Sequence, residues 1–96
     1  MVFSGNTTST AESAEIDIAA NITSFTLSNK SGGTIEASVG VFLGSTIVYV
    51  LFEEPLAASG TATCNFIYNG KPIRMLPNYK IFVLVTGSCD YYFTIL

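Results

Sequence analysis

Cys64 and Cys89 are the residues whose chemistry stands out first in this 96-residue chain. A bond between them would close a loop worth about 3 kcal/mol or a little more in the chain-entropy account. Two separate buried thiols fit equally well, since free cysteine is among the most buried residue types. Neither cysteine belongs to a CxxC pair, and the chain has no histidine to activate a thiolate or join a metal site. The missing histidines also exclude His-based triads and His-ligated metals. Glu53 and Glu54, taken with Glu36 or Asp17, offer carboxylate oxygens to a hard cation. No dense oxygen-ligand loop accompanies them, and adjacent acids at a strand end ordinarily protect a sheet edge. Tyr49, Tyr68, Tyr79, Tyr91 and Tyr92 suggest a stacking platform for sugars, although most alternate with core positions and tryptophan is absent. No catalytic residue, metal or cofactor is implied.

The elements that must position these side chains are short strands. Thr34 to Phe42 alternates, with Ile35, Ala37, Val39 and Val41 on one face and Glu36, Ser38 and Gly40 on the other, which is the pattern of a half-buried strand. Glu15 to Ile18 reads as a short edge strand, Ile22 to Ser28 places Phe25 and Leu27 on one face, and "NKSGG" supplies a turn. "LGS" reverses the chain into Thr46 to Phe52, which Glu53-Glu54-Pro55 should stop. Thr61 to Tyr68 leads to Asn69-Gly70, a hairpin signal because both residues tolerate positive φ. A short strand near Ile73 to Leu76 precedes Tyr79 to Thr86, and Asp90 to Ile95 closes the chain with Tyr91, Phe93 and Ile95 on one face. Cys64 and Cys89 fall on inward sets, the former with Ala62, Phe66 and Tyr68. Seven or eight such strands, with no helix-period segment, predict an all-β fold: an antiparallel β-sandwich or jelly-roll-like barrel. Residues 4 to 13 are rich in Ser, Thr and Asn, so residues 1–13 read as an extended N-terminal arm and 14–96 as one domain. Three N-x-S/T sequons, at Asn6, Asn21 and Asn29, read as chance in so Ser/Thr-rich a chain.

Charged residues make up 11% of the chain against about 25% in an average soluble domain, and hydrophobic residues 49%. A domain of this size buries only about 60–70% of its unfolded surface, so contiguous apolar patches are expected outside. With four cations and a net charge of −3, a phosphate-binding stripe is excluded and nucleic acid is not a partner. The uncharged run from Ala37 to Phe52 is too short and too rich in Gly, Ser and Thr for a spanning helix, so no membrane partner is expected either. The first residues also lack the basic and apolar regions of a secretory signal. Two stretches are apolar on both faces. Tyr79, Ile81, Val83 and Val85 go to the core, which leaves Phe82 and Leu84 outside beside Lys80 and Thr86. In Thr46 to Phe52 one of the sets Ile47, Tyr49, Leu51 and Val48, Val50, Phe52 must face out. Each large side chain left in water forgoes about 1.5–3 kcal/mol. A subunit interface formed by Val2, Phe3, Val48, Val50, Phe52, Phe82 and Leu84 is therefore expected, in a homo-oligomer with a trimer favoured.

The run "ITSFTLSNKSGGTIEASVGVF", then "LAASGT", then "PIRMLPNYKIFVLVTGSCDYYFTI" resembles the small β-sandwich virion proteins of tailed bacteriophages. The shared pattern is a hydrophobic-Thr-Ser opening strand with an Asn-containing turn, a Leu-Ala-x-Gly loop and a "PI-x-x-L" strand entry. Asn78 stands where that pattern has Gly before Tyr79, and Asn also tolerates positive φ. The resemblance implies a non-enzymatic structural component of the virion. A capsid decoration or cement protein bound to the major capsid protein is the first expectation; a neck, tail or fibre-attachment subunit is the second. A carbohydrate-binding or adhesin-like module is the reading outside that class.

Overall fold

The computed structural model describes residues 2–65 and 72–96. Nine strands run through them: β1 (Val2–Thr7), β2 (Thr10–Glu12), β3 (Ala20–Asn29), β4 (Ile35–Leu43), β5 (Thr46–Leu56), β6 (Thr61–Asn65), β7 (Ile73–Met75), β8 (Tyr79–Val85) and β9 (Cys89–Ile95). They form two antiparallel sheets packed as a sandwich. Sheet A has the order β1-β9-β3-β6, with β7 also pairing β3, and sheet B has the order β2-β8-β4-β5. The expected turn at Asn69-Gly70, with Phe66 and Tyr68 before it, lies outside the described residues.

Alternation decides the inner layer. Ile35, Ala37, Val39 and Val41 of β4 and Ile81, Val83 and Val85 of β8 are buried from sheet B, facing Phe25, Leu27, Phe93 and Ile95 of sheet A. Phe25 stacks on Phe93 at 5.2 Å between centroids and meets Phe52 edge-on at 6.1 Å, so one ring joins both sheets. In β3 the register steps from Ile22↔Ile95 to Ser24↔Thr94, leaving Thr23 as an extra residue, so that Ile22 and Phe25 both point inward although three positions apart.

Two further bulges explain why Thr46 to Phe52 looks apolar on both faces. Opposite β4 the register steps from Val39↔Phe52 to Gly40↔Val50, making Leu51 an extra residue, and from Val41↔Tyr49 to Phe42↔Ile47, making Val48 another. A bulge puts two residues against one and breaks the two-residue period. Leu51 and Phe52 thus both pack against the core, while Val50 and Ile47 join the outer side. Nor does "EEP" end the strand: β5 runs on to Leu56, with Pro55 on an edge where its missing N–H costs no ladder bond.

The stretch expected as a free arm instead lies on the domain's own sheets. β1 pairs β9 from Val2↔Thr94 to Thr7↔Cys89 and forms one edge of sheet A. β2 pairs β8 from Thr10↔Leu84 to Glu12↔Phe82 and forms one edge of sheet B. Thr7 Oγ1 donates to the Thr10 carbonyl at 3.0 Å and accepts from the Ser9 N–H at 3.3 Å, bonds that fold the chain from one layer to the other. Polar residues suffice here because an edge strand gains its stability from backbone pairing and needs few side chains in the core; Phe3 and Ala11 supply them. Residues 13–19 are not a strand, yet they are held. Ser13 Oγ accepts from the Ile81 N–H at 2.9 Å, the Ile16 N–H donates to the Tyr79 carbonyl at 3.0 Å, and Ile16 is buried.

Candidate functional site

Sheet B turns an apolar face outward. Residues paired across neighbouring strands share a face, so the register lays this surface out in rows. The first row is Thr10, Leu84, Ser38 and Glu53; the second is Glu12, Phe82, Gly40 and Val50; the third is Lys80, Phe42 and Ile47. Leu84, Val50 and Ile47 are 51%, 57% and 58% exposed. The rings of Phe82 and Phe42 lie 5.9 Å apart, and Lys80 Nζ sits 5.9 Å from the Phe42 centroid.

Gly40 shapes the centre of this surface. A Cβ at that position would come within 2.6 Å of the Phe82 ring and 2.5 Å of the Tyr49 carbonyl oxygen. The missing side chain is what lets the end of the Phe82 ring reach over β4. Sequence reasoning places Phe82 and Leu84 outside beside Lys80 but misses Gly40, Phe42 and Ile47 as their neighbours. A glycine inside an otherwise strict alternation was the available signal.

The seven residues expected at an interface divide among several surroundings. Phe82, Leu84 and Val50 share the outer face of sheet B. Phe52 is opposite Val39 and packs inward, and Phe3 is opposite Phe93 with its ring 5.5 Å away, so both belong to the core margin. Val2 is on the outside of sheet A beside Thr94, and Val48 occupies a bulge opposite Val41 at the end of the sandwich, near exposed Leu43 and Tyr49.

Sheet A presents the opposite chemistry. Its outer rows read Val2, Thr94, Ser24; Ser4, Tyr92, Thr26, Thr63; and Asn6, Asp90, Ser28, Thr61. Asn6 Nδ2 donates to Asp90 Oδ1 at 2.7 Å and Ser88 Oγ at 3.1 Å, and Lys30 Nζ lies 3.9 Å from Asp90 Oδ2, the single ion pair among the described residues.

The remaining candidates are dispersed. Cys64 and Cys89 are free thiols, not a disulfide. Cys64 lies opposite Phe25 and Cys89 opposite Asn29, on strands flanking β3, which sets their backbones about 17 Å apart by strand geometry. A disulfide needs Cα atoms within about 7 Å. Burial raises both thiol pKa values above 9.0; Glu54 adds to the rise at Cys64, and at Cys89 a hydrogen bond from the Ser28 backbone opposes it while Asp90 adds to it. Neither cysteine is therefore an activated nucleophile. Among the described residues no three His, Cys, Asp or Glu side chains converge. Tyr79 and Tyr91 pack against the core, while the exposed Tyr49 and Tyr92 sit on different sheets and make no common platform. No described helix is long and apolar enough to cross a membrane. Against known proteins, the sequence matches no protein-family model and no curated protein.

Proposed function

We propose that the chain is a non-enzymatic structural subunit of a bacteriophage particle, in the first place a capsid decoration or cement protein that docks on the major capsid lattice. The observation that carries the assembly reading is the contrast between the two outer faces. Sheet A faces outward with hydroxyls and amides, sheet B with Phe42, Phe82, Leu84, Val50 and Ile47. A polar face stays in water without cost, whereas contiguous exposed apolar surface marks contact with another molecule. The phage context comes from the strand-and-turn resemblance across residues 21 to 96. In the particle, the outer face of sheet B and the apolar end of the β4–β5 hairpin at Leu43, Val48 and Tyr49 are buried between subunits, and sheet A faces solvent.

Immuno-electron microscopy of particles banded from the source culture, with antibodies raised against the purified chain, tests this. Regular labelling of the shell is expected. Labelling confined to the neck or tail transfers the protein to those parts, and unlabelled particles overturn the virion assignment.

A further inference from the structure

We propose that the outer face of sheet B is a two-fold interface between two copies of this chain, centred on Gly40 and Phe82, in which Lys80 of each copy meets Glu53 of the other. The proposal rests on the reading that this face is buried on assembly, and it names the occupant.

Charge placement argues for a second copy. Among the described residues Lys80 is the one cation of this face, against the acids Glu12, Glu53 and, one row beyond Ser38, Glu36. Lys80 stands one strand to one side of Gly40 and one row towards one end; Glu53 stands one strand to the other side and one row towards the other end. The two are diametrically opposite across Gly40, about 17 Å apart by strand and row spacing. A two-fold axis lying in the interface through Gly40, perpendicular to the line joining them, exchanges the two positions. Lys80 of each copy then falls on Glu53 of its partner, and both charges are matched twice by one operation, as an isologous contact requires. The same axis crosses the strands of the two copies at about 70°, close to the orthogonal class of sheet packing. The Phe82 ring, which reaches over Gly40, lies at the axis against its own copy.

The area is sufficient for a modest dimer. The four strands, of 3, 7, 9 and 11 residues and spaced about 4.8 Å apart, present on the order of 500 Å² per copy. The pair buries about 1,000 Å², the range of weak, transient complexes. The contact is thus concentration-dependent, with the Lys80–Glu53 pairs at its rim setting orientation more than strength. The bulges in β5 place Val50 and Ile47 on this face and interrupt the edge beside it, which favours face-to-face contact over strand addition.

Light scattering after size exclusion across the micromolar range tests the assignment on the wild-type chain, K80E, E53K, the K80E/E53K double variant and L84S. Expected is a shift from 10.2 kDa towards twice that mass with concentration. Each single reversal sets like charges together and should raise the dimer Kd about tenfold. The double variant exchanges the partners and should return to within about threefold of wild type, because the two changes are coupled across the axis. L84S should remain monomeric with an unchanged circular dichroism spectrum. A wild-type chain that stays monomeric, a trimer mass, or a dimer indifferent to both reversals overturns the proposal. None of these outcomes decides shell labelling, so failure of the two-fold and failure of the virion reading are told apart.

Discussion

Asn29 is the residue at which a single substitution should be most costly for its size. Its side chain is buried at the end of β3 and joins three segments. Nδ2 donates to the carbonyls of Gly33 at 2.9 Å, Leu56 at 3.1 Å and Ala57 at 3.0 Å, while Oδ1 accepts from the Ser31 N–H and the Ser31 hydroxyl, both at 2.8 Å. Removing the amide does not orphan every partner. The one Ser31 hydroxyl proton, shared between Asn29 Oδ1 and the Gly33 carbonyl, can go wholly to Gly33 at 2.8 Å, and the Gly60 N–H still donates to Ala57 at 2.8 Å. What is lost is the bond to Leu56 O, the acceptor for Ser31 N–H and the tie between layers. At about 0.5–1.5 kcal/mol for each net hydrogen bond, and more where a buried group loses its partner, Asn29→Ala should cost about 2–4 kcal/mol. That corresponds to a fall in Tm of roughly 10–25 °C for a domain of this size. Asn29→Asp supplies a distinct signature. Its carboxylate would face three carbonyl oxygens, so its folded pKa is raised. The protonated form is then favoured on folding, a contribution present at low pH and lost as pH rises through that raised value. The variant's deficit should therefore shrink as pH falls, whereas that of Asn29→Ala should not. Urea unfolding of both variants from pH 4 to 7 is the assay. A loss below about 1 kcal/mol for Asn29→Ala, or matching pH profiles for the two, would refute the reasoning.

Gly40→Ala forces a Cβ against the Tyr49 carbonyl and the Phe82 ring and should cost about 1–3 kcal/mol. Thermal melts of the single variants and of Gly40→Ala/Phe82→Ala should show partial recovery in the double, and strict additivity would mean that the ring is not the obstacle. Deleting residues 1–13 removes β1 and β2, uncovers the β8 and β9 edges and takes Phe3 from Phe93; circular dichroism should report loss of cooperative folding, and a native melt would contradict the paired strands. In a thiol titration, Cys89 should stay unreactive in the native protein and both cysteines should react in urea. Because both thiol pKa values are raised on folding, their contribution to stability is intact at neutral pH and declines as pH climbs above about 9; urea midpoints that fall less steeply there for Cys64→Ala/Cys89→Ala than for wild type would confirm the sign.

Strands that keep a strict two-residue period were legible from composition. The inward sets of β4, β8 and β9 are those that alternation assigns, and Phe82 and Leu84 stand outside as expected. Reading failed where the period breaks. The bulge residues Thr23, Leu51 and Val48 carry no marker in their side chains, since a bulge is set by the partner strand, and this moved Phe52 from outside to inside. It failed again at β1 and β2, whose stability resides in backbone bonds to strands some eighty residues away. The outer face was half legible for the same reason. Its apolar members declare themselves, but the diagonal that sets Lys80, Gly40 and Glu53 in line is a property of register between strands.

The pairing of β1 with β9 has a consequence for how the molecule comes into being. Val2 emerges from the ribosome well before its partner Thr94, which lies roughly ninety residues further along the chain. β2 likewise waits for β8. Neither sheet closes its edge until β8 and β9 have been synthesised, and contacts of such long sequence separation make folding slow. Until then the β3 and β4 edges that β9 and β8 cover, and the rings beneath them, lie open to other nascent chains. Any surface that depends on an intact sheet B, including Phe82 over Gly40, exists only after β8 has met β4 and β2. Assembly through that surface is thereby restricted to finished subunits.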